Sequence, residues 1–441
     1  MRRTGSRPKL GQTTLTALVV ANMVGAGVFT TSGFALADLG TANRVMLAWL
    51  CGGVIAICGA LCYGGLASRL TESGGEYLYL SRVLHPMAGF IGGWISLLAG
   101  FTGAIAFAAH TFESYVLPNP PPWLPANALA VALVAVTAIA HGFRLKPGAL
   151  SQNTAVVFKL VLILAFLIYA GSLGNAPAAA EPVIAEPFSL VAFAGSLVWI
   201  SLSYSGFNAA IYVAGEAENP ARNVPKALWR GTCLVTLLYL AMNAVFVYLP
   251  PFEAVVGRED IAAAAAQVIG GEALGVAVRA LIAIALVTSV SSMVMAGPRV
   301  YARMADDRLF PQQFRFQGEV PRRSIALQAL LGIVVILVTD LEKLLGYLGF
   351  TLSLSAALTA ATLFRLRRRE GAAAVPVIGY PFTPIIFIGA TLSLAVLAAK
   401  DKPGEIIAAV ITVVVGLGFY FLTTKLRKNS EEPQTADSLN S

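Results

Sequence analysis

The chain has 441 residues, of which 57% are hydrophobic and 12% charged, and its net charge is +8. Soluble domains carry about a quarter charged residues, so this composition excludes a protein surrounded by water on all sides. A basic nucleic-acid surface is excluded as well, because the Arg365, Arg367, Arg368 and Arg369 cluster abuts an apolar span.

Twelve apolar segments follow one another along the chain, at about 12–35, 43–68, 88–112, 127–142, 152–172, 190–214, 228–249, 273–298, 324–339, 343–364, 381–399 and 404–424. Segments of this kind cross a bilayer core of about 30 Å as helices. The fourth is short, and only Asp340, Leu341 and Glu342 separate the ninth from the tenth, so that turn must be tight. The predicted class is an all-α membrane protein with 12 transmembrane helices.

The basic start and the Ala35-Leu36-Ala37 sequence mimic a cleavable leader. The apolar stretch is too long for one and is interrupted by glycines, so it is expected to stay on the chain. With the N-terminus inside, 24 of the 31 Lys and Arg residues fall on the inner side, including four in the first eleven residues and six between 299 and 323. That bias predicts cytoplasmic termini in the cell (inner) membrane. Cys51, Cys58, Cys62 and Cys233 all lie in apolar segments, which implies no disulfide framework. His85, His110 and His141 are scattered without nucleophile or metal-ligand spacing, so neither an enzyme nor a metal or cofactor is expected.

Segments 1 and 6 are interrupted, the first by Gly25-Ala26-Gly27 and the sixth by Ser203-Tyr204-Ser205-Gly206. A single glycine in a membrane helix usually serves close packing. Two broken helices five spans apart instead predict a 5+5 inverted repeat with helices 1 and 6 discontinuous. The repeats would cover 12–172 and 190–364. Peripheral helices would follow over 381–424, with tails at 1–11 and 425–441. Unwound backbone in a low-dielectric space must find partners. A zwitterion meets that need, its carboxylate at Gly25, Ala26 and Gly27 and its ammonium at free carbonyls. The substrate side chain would lie toward Leu202, Phe207 and helices 3, 8 and 10. Those segments offer no acidic residue placed for a cationic group, which favours a small or medium neutral amino acid. Lys159 lies deep in a span, and such a residue is functional by default. Two compatible readings stand: a tether donating to carbonyls at the helix 1 break, and a proton carrier.

Tyr204-Ser205-Gly206-Phe207-Asn208, followed by Gly215-Glu216-Ala217-Glu218-Asn219-Pro220-Ala221-Arg222-Asn223-Val224-Pro225-Lys226-Ala227, resembles the helix 6 signature of the amino acid–polyamine–organocation (APC) superfamily. Gly25 to Phe29 resembles its helix 1 motif. Ser291-Ser292 through Arg299, Ala302-Arg303, Asp306-Asp307, Leu309 and Pro311 resembles its helix 8 and the loop after it. Gly206-Phe207-Asn208 is closest to the L-type amino acid transporters, which have Gly-Trp-Asn there. The resemblance implies the LeuT-like fold and a secondary active transporter working by alternating access. It implies an exchanger, with proton-coupled symport as the alternative; a non-transporting sensor is the rival of a different class. It implies that the amine meets the carbonyls of Met23, Leu202, Ser203 and Ser205. It also matches Lys159 to a helix 5 lysine and sets it with Ser292 as the ion- or proton-coupling pair. Position 202, aromatic in many relatives, is Leu here. The end of helix 6 at Glu216, Glu218, Asn219 and Pro220 is expected to form an inner gate with arginines of 299–323. L-type carriers of eukaryotes hold a glycoprotein heavy chain through an outer-loop cysteine. Residues 113–126 have none, so no such partner is expected; the partners are the amino acid and membrane lipid.

Overall fold

A computed structural model describes residues 9–142, 149–172, 187–316, 321–401 and 403–437. Among the described residues the chain is helical throughout, with one isolated backbone bridge and no strand.

The first apolar segment is split into α1 (Gln12–Met23) and α2 (Gly27–Leu39), followed by α3 (Ala42–Ala67) and the short α4 (Gly75–Val83). The third is α5 (Pro86–Ile95), a π-helical stretch at Ser96–Gly103, and α6 (Ala104–Val116). Then come α7 (Ala128–Gly142), α8 (Ala149–Ser172) and α9 (Leu190–Ser203), which passes through a turn into a 3-10 helix at Ala209–Glu216. The second half holds α10 (Pro220–Tyr248), α11 (Phe252–Val255), α12 (Ile261–Asp306), α13 (Arg322–Val338), α14 (Leu341–Glu370), α15 (Phe382–Asp401) and α16 (Pro403–Asp437).

Seven stretches among the described residues are helical, long and apolar enough to cross a membrane: Gln12–Leu39, Ala42–Ala67, Pro86–Val116, Pro220–Tyr248, Ile261–Asp306, Gly346–Glu370 and Ile406–Lys425. Shorter apolar helices lie at Ala128–Gly142, Val157–Ser172, Leu190–Ser203 and Phe382–Leu397. Helix is the natural form for these runs, since each backbone N–H and C=O then finds its partner without water. Polar residues start several of them: Thr41, Ser189 and Asp340 accept from backbone N–H groups of Arg44, Ala192 and Lys343.

The structure departs from the sequence reading in three places that matter. The π-helical stretch at 96–103 had no sequence signal; its i→i+5 hydrogen bonds add a residue to the turn. The second half of segment 6 is 3-10 rather than α, with Val213 outside helical geometry. Segment 8 is much longer than 273–298. It begins with a buried alanine-rich stretch from Ile261, bends at Gly270 and Gly271, and runs through Pro298 to Asp306.

Candidate functional site

α1 ends at Met23 and α2 starts at Gly27, so three residues leave the helical ladder. Gly25 N–H turns back to the Met23 carbonyl oxygen at 2.7 Å. Ala26 and Gly27 open α2 with N–H groups that meet no backbone acceptor outside a helix and no side-chain acceptor among the described residues. That is the positive end of a helix, and it favours an anion.

The second break packs directly on the first. A Cβ added to Gly27 would lie 2.4 Å from Ser203 Oγ and 2.8 Å from Ser203 Cα, so only glycine permits this approach. Gly206 turns the chain with φ of +92°, and a Cβ there would come within 2.8 Å of the Asn22 carbonyl oxygen. The Tyr239 hydroxyl of α10 lies between the two breaks, donating to the Met23 carbonyl oxygen and standing 3.1 Å from that of Ser203. The Leu202 carbonyl oxygen accepts from Ser205 N–H at 2.9 Å. A carbonyl has two lone pairs, and the Met23 oxygen already accepts from both Gly25 N–H and the Tyr239 hydroxyl.

Between the breaks lies a cavity of about 320 Å³. Met23, Gly25, Ala26, Gly27, Leu202, Ser203, Ser205, Phe207 and Asn208, all named from the sequence, line it. Phe101 and Ala104 from the wide turn, Met293 and Ala296 from α12, and Leu352 and Ala356 from α14 complete an apolar wall. The Phe207 ring meets Tyr63 edge-on at 5.3 Å and Phe387 at 6.2 Å. These wall residues come from segments 3, 8 and 10, the helices named from the sequence, but the sequence did not single out the individual residues.

Lys159 lines the far side of the first break rather than the cavity. Its side chain is buried, and Nζ donates to the Val24 carbonyl oxygen at 2.8 Å. Ser289 Oγ reaches the same oxygen at 3.3 Å. Ser292, paired with Lys159 in the sequence reading, instead accepts from Asn22 Nδ2 at 3.3 Å. The two coupling candidates therefore face α1 at different points.

The cavity is shut on one side. Gly33 lies so close to the 256–260 turn that a Cβ would fall 2.0 Å from the Arg258 carbonyl oxygen, and Gly257 N–H donates to Gly33 at 2.8 Å. Arg258 and Arg279 hold Asp260 at 2.9 and 2.5 Å. Burial pushes the Asp260 carboxyl up, but the two guanidiniums outweigh it and leave its pKa lowered. Phe34 and Trp199 stack edge-on at 6.0 Å across the same region.

Toward the N-terminal side the cavity continues past Leu18, Ala17 and Thr14 to Leu10, Glu216 and Arg299. Charged groups from three elements meet at this end. Arg299 lies 3.6 Å from Glu216, Arg303 lies 3.1 Å from Glu72, and the Tyr77 hydroxyl donates to Asp307 at 2.7 Å. The entering chain pins this end of the 3-10 helix, Leu10 N–H donating to Glu216 at 2.8 Å and Glu218 N–H to Leu10 at 2.9 Å.

The two discontinuous helices enclose one apolar cavity between their breaks. A family model described as amino acid permease matches residues 10–423. The chain belongs to the amino acid permease family. Its signature places it with the L-type group of the APC superfamily, and it is an integral, multi-pass membrane transporter rather than an enzyme. Among its relatives are the b(0,+)-type amino acid transporter 1 of Mus musculus, 25% identical over 96% of this chain and 89% of that protein. The serine/threonine exchanger SteT of Bacillus subtilis is 24% identical over 87% of this chain and 89% of its own length. The Asc-type amino acid transporter 1 of Mus musculus is 25% identical over 95% of this chain and 82% of that protein. The permease carries amino acids.

The sequence missed Glu76. It stands in the loop after segment 2, where an acidic residue reads as solvated surface, yet it is 6% exposed and lines the cavity.

Proposed function

We propose that this permease exchanges small or medium neutral L-amino acids across the cell membrane by alternating access. The proposed frame is a LeuT-like 5+5 repeat of 12 helices, with repeats over 12–172 and 190–364, 381–424 peripheral, and both tails cytoplasmic. The observation that carries the reading is the pair of breaks at 24–26 and 204–208 closing on one cavity of about 320 Å³. The substrate carboxylate docks on the N–H groups of Gly25, Ala26 and Gly27. Its amine docks on carbonyls of Met23, Leu202, Ser203 and Ser205, and its side chain rests on Leu202, Phe207 and the wall from α12 and α14. A neutral side chain fits because the Glu76 carboxylate already accepts from Tyr63, Asn208 and Ser355.

Lys159 acts as a tether for the first break, since its ammonium donates to the Val24 carbonyl there. The seal at Gly33, Arg258 and Asp260 and the cavity's extension to Leu10 and Arg299 fit a conformation facing the N-terminal side. The relative named a serine/threonine exchanger supports exchange. The lack of cysteine in 113–126 supports operation without a disulfide-linked heavy chain.

The test is uptake of a panel of radiolabelled amino acids into proteoliposomes, first with an opposing amino acid inside and then with a proton gradient alone. Uptake that needs internal amino acid is the expected result. Uptake driven by the gradient alone would replace exchange by symport, and no flux with any substrate would leave the sensor reading in its place.

A further inference from the structure

Glu76 joins four elements at one carboxylate. Its Oε1 accepts from the Tyr63 hydroxyl of α3 at 2.5 Å and from Asn208 Nδ2 at 3.2 Å, and its Oε2 accepts from Ser355 Oγ of α14 at 2.8 Å. Asn208 is the last residue of the second break, immediately before the 3-10 helix that leads to the Glu216–Arg299 contact. Glu76 thus fastens the end of the second break to α3 and α14.

Every one of these partners is neutral. The titratable groups facing the carboxylate are phenols, Tyr63 from α3 and Tyr212 from the 3-10 helix. α14 presents Ser355 and Thr359, and on α4 itself Tyr77 turns to Asp307. Among the described residues no Lys, Arg or His faces it: Arg82 of α4 and Arg303 of α12 turn to Glu72, and Arg299 of α12 turns to Glu216. A buried carboxylate without a counter-cation is stabilised by binding a proton. Because Glu76 lines the cavity, a proton can reach it from the side on which the cavity continues to Leu10.

We infer that Glu76 is the proton-binding site of this permease, a latch that holds the second break when ionised and lets it go when protonated. The ionised carboxylate can accept from all three donors at once. Once protonated on Oε2 it donates to the Ser355 hydroxyl, and Oε1 becomes a neutral carbonyl oxygen whose hydrogen bond from Asn208 loses its charge assistance and about half its strength. Protonation therefore loosens the hold on the 206–216 segment. The inference rests on the transport reading and adds to it where the pH response resides.

The experiment is exchange of the radiolabelled amino acid panel, in proteoliposomes held at equal internal and external pH from about pH 5 to about pH 8, a range open to a buried Glu. Wild type should change its exchange rate at least several-fold across that range. Glu76→Gln, a fixed neutral mimic of the protonated form, should give a flat profile near the acid-side rate. Tyr63→Phe removes one donor to the ionised form and should move the midpoint up by about one pH unit. It carries the test if the Gln variant does not fold. A wild-type rate independent of pH, a Gln variant with an unchanged profile, or a Phe variant with an unmoved midpoint would overturn the inference. None of these touches the transport reading, which falls only if the wild type moves no amino acid at any pH.

Discussion

Gly25→Val separates the anion site from the fold. Gly25 does not adopt positive φ, and a Cβ on it would meet nothing closer than the Met23 carbonyl oxygen at 3.8 Å. A valine is therefore tolerated by the backbone, and its branches occupy the cavity in front of the Ala26 and Gly27 N–H groups. A substrate carboxylate displaced from there loses about two charge-assisted hydrogen bonds, each worth about 1.5–3 kcal/mol. The sum, about 3–6 kcal/mol, corresponds to a loss of affinity of about 100-fold or more. Gly27→Ala provides the contrast. Its Cβ would fall 2.4 Å from Ser203 Oγ, an overpacking that costs about 1–3 kcal/mol of stability. Equilibrium binding of the radiolabelled substrate to purified protein, with thermal unfolding of each variant alongside, distinguishes the two. Gly25→Val should unfold like wild type and bind at least about 100-fold more weakly, whereas Gly27→Ala should unfold at lower temperature. Binding of Gly25→Val at wild-type affinity would refute the placement of the carboxylate.

Lys159→Ala leaves the Val24 carbonyl with Ser289 alone and should lower stability by about 2 kcal/mol while the pH profile of exchange persists. A profile lost in this variant and kept in Glu76→Gln would make Lys159 the proton carrier. Leu202→Phe narrows the cavity from the α9 side and should reduce uptake of larger side chains relative to serine-sized ones; equal loss across a substrate panel would remove position 202 from the selectivity wall. Asp260→Asn uncouples Arg258 and Arg279, a partly buried pair of contacts worth about 1–3 kcal/mol, and should raise hydrogen exchange across 257–268. Because the Asp260 carboxyl is held below its ordinary value, the wild-type seal should stay protected at neutral pH and open only as pH falls below about 4. Protection that vanishes near neutral pH would contradict the assignment.

The apolar runs, the two glycine- and serine-marked breaks and the long motif after Gly206 were legible because each is local. Helix in an apolar run follows from backbone hydrogen bonding alone, and a break follows from residues that cannot hold a helix there. The breaks themselves pointed to Gly25, Ala26, Gly27, Leu202 and Phe207, and the family resemblance added Met23, Ser203, Ser205 and Asn208; all nine line the cavity. What the sequence could not decide were contacts between helices distant in the chain. Tyr239 bridges the breaks from 36 residues beyond Ser203, and the Asp260 contact with Arg279 closes the far side across a bend at Gly270 and Gly271. Glu76 is the sharpest case. On its own helix it is one acidic residue after a surface loop; only the packing of α3, α14 and the second break around it removes water and turns it into a buried carboxylate. Local chemistry determined where the backbone opens, and tertiary packing decided which side chains meet there, because burial belongs to the assembled helices and to no single one of them.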